Sequence, residues 1–501
     1  MKKNIVFLVA LLFIACSKNT EDTVEFTILS INDVYEIDAL EGGKSGGLAR
    51  VETLHKQLLS ENPNTILVHG ADFLNPSLLG TMKDENGERF RGKQMIDVMN
   101  AMNFDLVAFG NHEFDLDYKD FQKRLNESTF QWISTNNRLV GGDNLVPLFV
   151  EKNGNRTDIP KTVTFEFKNA SGNKINVGFI SATIDSNPTD YIDYGDKYED
   201  AINAYKVLEP KTDVVLALTH LALHQDKLLS KSLPEIPLII GGHEHTNMLV
   251  PVGDALISKA DANAKTAYVH RISVDIKTDE IKIDSELVSI DETIERDKEV
   301  EHLVQQWNVQ LDKKLREILS DPYEVIYTAE TPLDGRDTPI RSTQTNLGVL
   351  IAESMSEAFD NDVDCAIING GSIRIDDELH GAITGVDIFR VLPFGGGINK
   401  VDMTGALLEK VLNYGRLKAG TGAYLQLFNA TYNKESKKWG IAGKPIESNK
   451  TYKVALTDYL LLGFDIPFLK NDNPELLKVY NFSQDHLSSD IRKVVINYLK
   501  N

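Results

Sequence analysis

Leu106-Val-Ala-Phe-Gly-Asn-His-Glu-Phe-Asp115 is the stretch on which the reading of this chain turns. A four-residue apolar run stops at Gly110, and Asn111, His112, Glu113 and Asp115 follow within five residues. A short apolar run closed by a turn residue reads as a parallel strand covered on both faces. In open α/β sheets ligands gather beyond the carboxyl ends of such strands, where these polar groups would stand.

The same event recurs four times. Val24–Ile31 runs into Asn32-Asp33-Val34-Tyr35, Thr65–Val68 into His69-Gly70-Ala71-Asp72, and Val214–Thr219 into His220. Ile236-Pro-Leu-Ile-Ile240 delivers Gly241-Gly-His-Glu-His245. Five such ends would bring carboxylate, amide and imidazole donors to one sheet edge, a mixture suited to Zn²⁺, Mn²⁺ or Fe. With no thiolate among them, the pattern points to a catalytic rather than a structural centre. His55, His224, His302, His380 and His486 stand outside it and read as packing or surface, and His69 as no more than a neighbour of the Asp72 loop.

In order and spacing, Asp33, Asp72, Gly110-Asn-His-Glu113, His220 and Gly242-His-Glu-His245 resemble the calcineurin-like metallophosphoesterases. That resemblance implies a four-layer α/β sandwich and two divalent metal ions. Asp72 would bridge them, Asp33 and His245 would hold the first, and Asn111, His220 and His243 the second. His112, oriented by Asp115, would face the substrate. A carboxylate shared by two cations is what in-line attack on phosphorus requires.

The second half carries Arg341-Ser-Thr-Gln-Thr-Asn-Leu-Gly-Val-Leu350, Ile368-Asn-Gly-Gly-Ser-Ile-Arg374 and Val391-Leu-Pro-Phe-Gly-Gly396, which together resemble the C-terminal domain of the exported bacterial 5′-nucleotidases. By that resemblance Arg341, Arg374 and Asn369 would contact the phosphate and ribose of a nucleotide. Phe394 and Tyr459 would sandwich the base, and Asp465 would hold the sugar. Bidentate guanidinium groups suit phosphate oxygens, and paired aromatic faces accept any nucleobase.

Three places depart from the family pattern. Asp33-Val34-Tyr35 stands where Asp-x-His is usual. A phenol, with a reference pKa near 10, binds a divalent ion less readily than imidazole, although trivalent iron would favour it. His69-Gly-Ala-Asp-Phe-Leu-Asn-Pro-Ser77 lacks the usual loop glycines after Asp72, and Leu462-Gly-Phe-Asp-Ile-Pro467 places Phe464 where a glycine is expected.

The 501 residues, 42% hydrophobic and 25% charged, suit a soluble globular protein of several domains. A net charge of −21 argues against nucleic-acid polymers and anionic membrane surfaces as partners, but not against a small phosphorylated substrate met by metals and arginines. Residues 1–16 have a basic start, an apolar run too short to span a bilayer and Ala15 before Cys16, as in a bacterial lipoprotein signal. The mature chain would begin at a lipid-anchored Cys16 in the cell envelope, with residues up to 23 as signal and tether. Cys365, the one other cysteine, reads as a buried small hydrophobe, so no disulfide is expected.

Residues 24–290 are expected to form the catalytic α/β domain, with a helix over Gly47–Leu59 and closing strands over 268–290. Glycines 42, 43, 46 and 47 precede that helix without the Lys and Ser/Thr of a P-loop, so a plain loop is expected there. Apolar residues from Ile294 to Ile318 recur at helical spacing, which makes 291–321 a linker helix and leaves 322–501 as an α+β substrate-binding domain. The expected activity is hydrolysis of nucleoside 5′-monophosphates. The alternatives are a 2′,3′-cyclic nucleotide phosphodiesterase, a nucleotide-sugar pyrophosphatase or a non-catalytic nucleotide- or metal-binding lipoprotein.

Overall fold

The computed structural model describes residues 22–501. The signal and tether read at the N-terminus, with Cys16, lie almost wholly outside the described residues. No helix among the described residues is long and apolar enough to cross a membrane.

The five apolar runs do not share one sheet edge. They divide between two six-stranded sheets. The first sheet holds, in order, Ile281–Ser289, Thr266–Asp275, Thr23–Ile31, Thr65–His69, Leu106–Val107 and Gln131–Trp132. The second holds Met248–Val252, Ala255–Lys259, Leu238–Gly241, Val214–His220, Lys174–Thr183 and Thr162–Lys168. Parallel pairing of Thr23–Ile31 with Thr65–His69, and of Lys174–Thr183 with Val214–His220, points the carboxyl ends of each pair one way. Val68, Leu106 and Ile28 of one sheet and Leu216, Leu218 and Ile240 of the other form a common core between them. Each sheet's outer face is covered by helices. Leu48–Glu61, Lys93–Ala101 and Tyr118–Glu127 pack on the first, Lys197–Leu208 and Leu223–Ser232 on the second. The result is the expected four-layer α/β sandwich.

The helix expected over Gly47–Leu59 spans Leu48–Glu61 and buries Leu48, Val51, Leu54 and Leu58. The helix expected over 291–321 is confined to Lys298–Arg316. It starts there because the Asp297 carboxylate accepts the amides of Glu299 and Val300, while Asp291 holds a turn with Thr293 before it. Val300, Val304 and Trp307 pack into the first half and Leu315 into the second.

The second half is built on a five-stranded sheet of Leu425–Phe428, Cys365–Asn369, Thr451–Thr457, Ile398–Thr404 and Leu476–Val479. Because side chains alternate across a strand, Ala366 and Ile368 face one core with the helices Asn346–Glu357 and Ile491–Lys500, and Cys365 and Ile367 face another with Gly405–Leu417.

Candidate active site

At the carboxyl end of Thr23–Ile31 the backbone turns left-handed at Asp33, with φ 53°. Asn32 fixes that turn, its amide donating to the Asp33 carboxylate at 2.6 Å and to the carbonyl of Ala260 at 3.0 Å. Ala71 and Asp72 are also left-handed, and Glu113 holds their loop. One Glu113 carboxylate accepts the amides of Asp72, Phe73, Leu74 and Gly110 at 2.7–3.3 Å. Burial and the charge of Asp72 push that carboxyl up to about 7, against the pull of the amides.

Asp33, Asp72 and His220 form one buried group whose donor atoms all lie within 4.8 Å of one another. His220 gives Nδ1 to the carbonyl of Gly70 at 2.9 Å, which turns Nε2 to Asp72 at 2.9 Å and Asp33 at 3.8 Å. His245 gives Nδ1 to the backbone carbonyl of Asp376 and sets Nε2 3.2 Å from Asp33. The backbone amide of His243 donates to Asp33 at 2.9 Å, and its ring lies 5.4 Å from that of His220. Lys259, 1% exposed, fixes the His243–His245 loop by donating to the carbonyl of Gly242 and pairing with Glu244 and Asp226.

The charges here oppose one another strongly. Burial would raise the Asp33 carboxyl, but the imidazoles of His245 and His220 hold it well below the usual range. Burial would lower His220, but Asp72 and Asp33 push it up to about 10. His243 drops to about 3 through burial and the charge of His220. Asp33 Oδ1, Asp72 Oδ2, Asn111 Oδ1 and His220 Nε2 are buried and, for all the closeness of His220 to Asp72, make no well-aligned hydrogen bond among the described residues. Buried donors and acceptors without such bonds are costly, and the three from Asp33, Asp72 and His220, within 4.8 Å of one another, fit a cation that would satisfy them.

His112 faces the same space, a cavity of about 560 Å³ lined also by Asp72, Asn111, His243, His245, Arg341 and Asp376. Its Nδ1 is 2.7 Å from Asp115, leaving Nε2 toward the cavity. Burial resists its protonation, but Asp115 and Asp72 push it up to about 9. Tyr35 is buried here too, its hydroxyl 3.1 Å from His245 Nε2. Burial and Asp72 hold the phenol well above its usual range.

A second cavity, about 490 Å³, is lined by Asn369, Arg374, Phe394, Tyr459, Asp465 and Asp115. Asn369 and Tyr459 hold Asp465 at 2.7 and 3.3 Å. Phe394 is 53% exposed and Tyr459 38% exposed, which core packing would not leave. Phe464 is 71% exposed, with its ring 5.9 Å from that of Tyr459. Arg374 donates to the same Asp115 oxygen that His112 contacts, at 2.7 Å, so Asp115 joins the two cavities. Arg341 pairs with Asp337 at 2.7 Å.

The residues given a metal, catalytic or substrate role from the sequence thus lie at one of the two cavities or at the buried centre beside them. Glu113, placed at the strand end from the sequence but given no role, and three residues that were missed complete the site. Asn187 donates to Asp115, Glu113 shapes the Asp72 loop, Lys259 supports the histidine loop, and Asp376 reaches in from the second half. Glu113 sits inside the quoted motif and Asp376 two residues after Arg374, so position alone could have flagged both.

The sequence matches the calcineurin-like phosphoesterase family over residues 26–247 and the 5′-nucleotidase C-terminal domain over residues 325–470. It is 27% identical to the 5′-nucleotidase of Mus musculus, across 92% of this chain and 86% of that protein. It is 28% identical to a trifunctional nucleotide phosphoesterase protein of Bacillus subtilis, across 88% of this chain but 32% of that longer protein. The structure superposes on a 5′-nucleotidase precursor from Thermus thermophilus with a TM-score of 0.67 at 20% identity, covering 95% of this chain and 96% of that one. The chain belongs to the 5′-nucleotidase family of metal-dependent hydrolases, a calcineurin-like phosphoesterase domain followed by a 5′-nucleotidase C-terminal domain.

Proposed function

We propose that the protein removes phosphate from nucleoside 5′-monophosphates, with residues 24–290 catalytic, 291–321 connecting and 322–501 binding the nucleoside. The observation that carries this reading is Asp115, which touches both His112 of the first half and Arg374 of the second. Asp33, Asp72 and His245 would hold one divalent cation, and Asp72, Asn111, His220 and His243 a second. Such a pair supplies Lewis-acid polarisation of the phosphoryl oxygens.

The chain's own residues supply the rest. His112, kept protonated by Asp115 and Asp72, donates from Nε2 to the departing ester oxygen. Arg341 and Arg374 orient the phosphate, and their fixed forks suit its paired oxygens. Phe394 and Tyr459 take the base between them, and Asp465 the ribose hydroxyls. The leader ending at Ala15 would export the enzyme, and a lipid on Cys16 would tether it to the envelope, placing hydrolysis outside the cytoplasm.

The test is phosphate release from AMP by the chain lacking residues 1–16, metal-free and then with Zn²⁺, Mn²⁺, Co²⁺ or Fe²⁺, beside His112→Ala. Metal-dependent release lost in the variant supports the reading. Faster cleavage of 2′,3′-cyclic AMP or a sugar nucleotide would replace the monoesterase by a diesterase or pyrophosphatase. No release from any of them, with metal bound, would leave a binding protein.

A further inference from the structure

His245 Nε2 is surrounded by three oxygens from two segments. They are Asp33 Oδ1 at 3.2 Å, the Tyr35 hydroxyl at 3.1 Å and Asp376 Oδ2 at 3.2 Å. Donor atoms that share one divalent ion at about 2.0–2.2 Å stand roughly 3–3.5 Å apart, so these are ligand-like separations. Two of the three oxygens, both on the stretch Asp33–Tyr35, belong to the first half. Asp376 comes from the second.

Asp376 does not arrive by chance packing. Its backbone is left-handed, with φ 46°, its carbonyl accepts His245 Nδ1, and its Oδ1 accepts the amide of Asp337 at 2.6 Å. Oδ2 is thereby aimed at the centre, 3.9 Å from His112 Nε2 as well. The residues around it bind the first half too. Arg374 meets Asp115 at 2.7 Å, and Asp377 meets Lys265 at 2.6 Å.

An ion such as Mn²⁺ takes about six donors, so three protein ligands and a water leave room for a further ligand from the protein. Asp33, Asp72 and His245 supply three to the first ion, and a neutral phenol such as Tyr35 is a poor fourth for a divalent metal. A carboxylate is a good one. Resting on the dinuclear reading above, we propose that Asp376 is a ligand of the first metal ion, donated across the cleft, so that filling that site and closing the two halves are one event.

The experiment titrates the chain lacking residues 1–16 with Mn²⁺, read by calorimetry and by the loss of the free-ion electron paramagnetic resonance signal. Small-angle X-ray scattering follows compaction in the same samples. The wild type is expected to bind two ions and to compact as the weaker site fills. Asp376→Asn, which keeps an acceptor for the Asp337 amide, is expected to weaken one site at least roughly 10-fold, leave the other unchanged and lose the compaction. Asp377→Asn removes a tether between the halves while leaving every donor of the centre in place, so by linkage it is expected to weaken that site too, but clearly less than Asp376→Asn does. Unchanged affinities in Asp376→Asn overturn the proposal, as does an equal loss in Asp377→Asn, which would make docking rather than ligation the cause. A wild type that binds fewer than two ions overturns the dinuclear reading itself, and a native circular dichroism melt of the metal-free variants separates each result from misfolding.

Discussion

Gly110 has no space for a side chain, since a Cβ there would lie 2.1 Å from Oδ1 of Asp72. Gly110→Ala must therefore displace the carboxylate that both cations would share. Mn²⁺ titration should show at least about 100-fold weaker binding with secondary structure intact. Glu113 works on the same loop from the other side. Glu113→Ala strands the amides of Asp72, Phe73, Leu74 and Gly110, and at about 1–3 kcal/mol for each that water cannot reach, urea unfolding should show a loss of at least about 3 kcal/mol. An unchanged urea midpoint would contradict this account of the loop. At this scale the sequence was legible wherever an apolar run stopped abruptly, as at Asp33, Asp72, Asn111 and His220. Asp376 was not legible that way, because no apolar run or spacing leads to His245 from a loop of the other half.

Strands and their supports follow different rules of visibility. Runs such as Val214–His220, buried at every residue, read as strands from composition alone. Their division between two sheets did not, since a strand buried on both faces shows no face that names its neighbour. Lys259 closes the strand Ala255–Lys259 and supports the histidine loop from beneath. Lys259→Met should leave Asp226 and Glu244 unpaired, cost about 3–5 kcal/mol and weaken metal binding, seen together in urea unfolding and Mn²⁺ titration. His270, buried in the strand Thr266–Asp275, sits between Ser258 and Ser285 at 3.2 and 2.8 Å, and burial lowers it from 6.5 to about 3. The unfolded chain takes up its proton near 6.5, so the neutral fold is favoured above that pH. Its stability then falls by about 1.4 kcal/mol per pH unit down to about 3. His270→Gln should flatten that part of the slope in urea unfolding at pH 7, 5 and 4, and a parallel slope would refute the assignment.

Across the whole molecule, the halves meet in a closed arrangement held by charges of opposite sign. Arg374 pairs with Asp115, Arg390 with Glu36 at 3.2 Å and Lys265 with Asp377. Such contacts weaken with salt when they open to water. Arg390→Met should enlarge the radius of gyration in small-angle scattering and raise KM for AMP roughly 10-fold, a cost of about 1.4 kcal/mol, with kcat less affected. No change in either would show that closure does not depend on this pair. The two-part organisation was legible because each half carries its own motifs, whereas the closed contacts depend on pairs more than 100 residues apart. One consequence concerns Cys365, fully buried in the central sheet of the second half. In a chain that begins after Cys16 it is the single thiol, so an alkylating reagent added during a denaturant or temperature series would mark only molecules whose second half has come apart. The protein carries its own chemical clock for that event, readable by mass without any engineered probe.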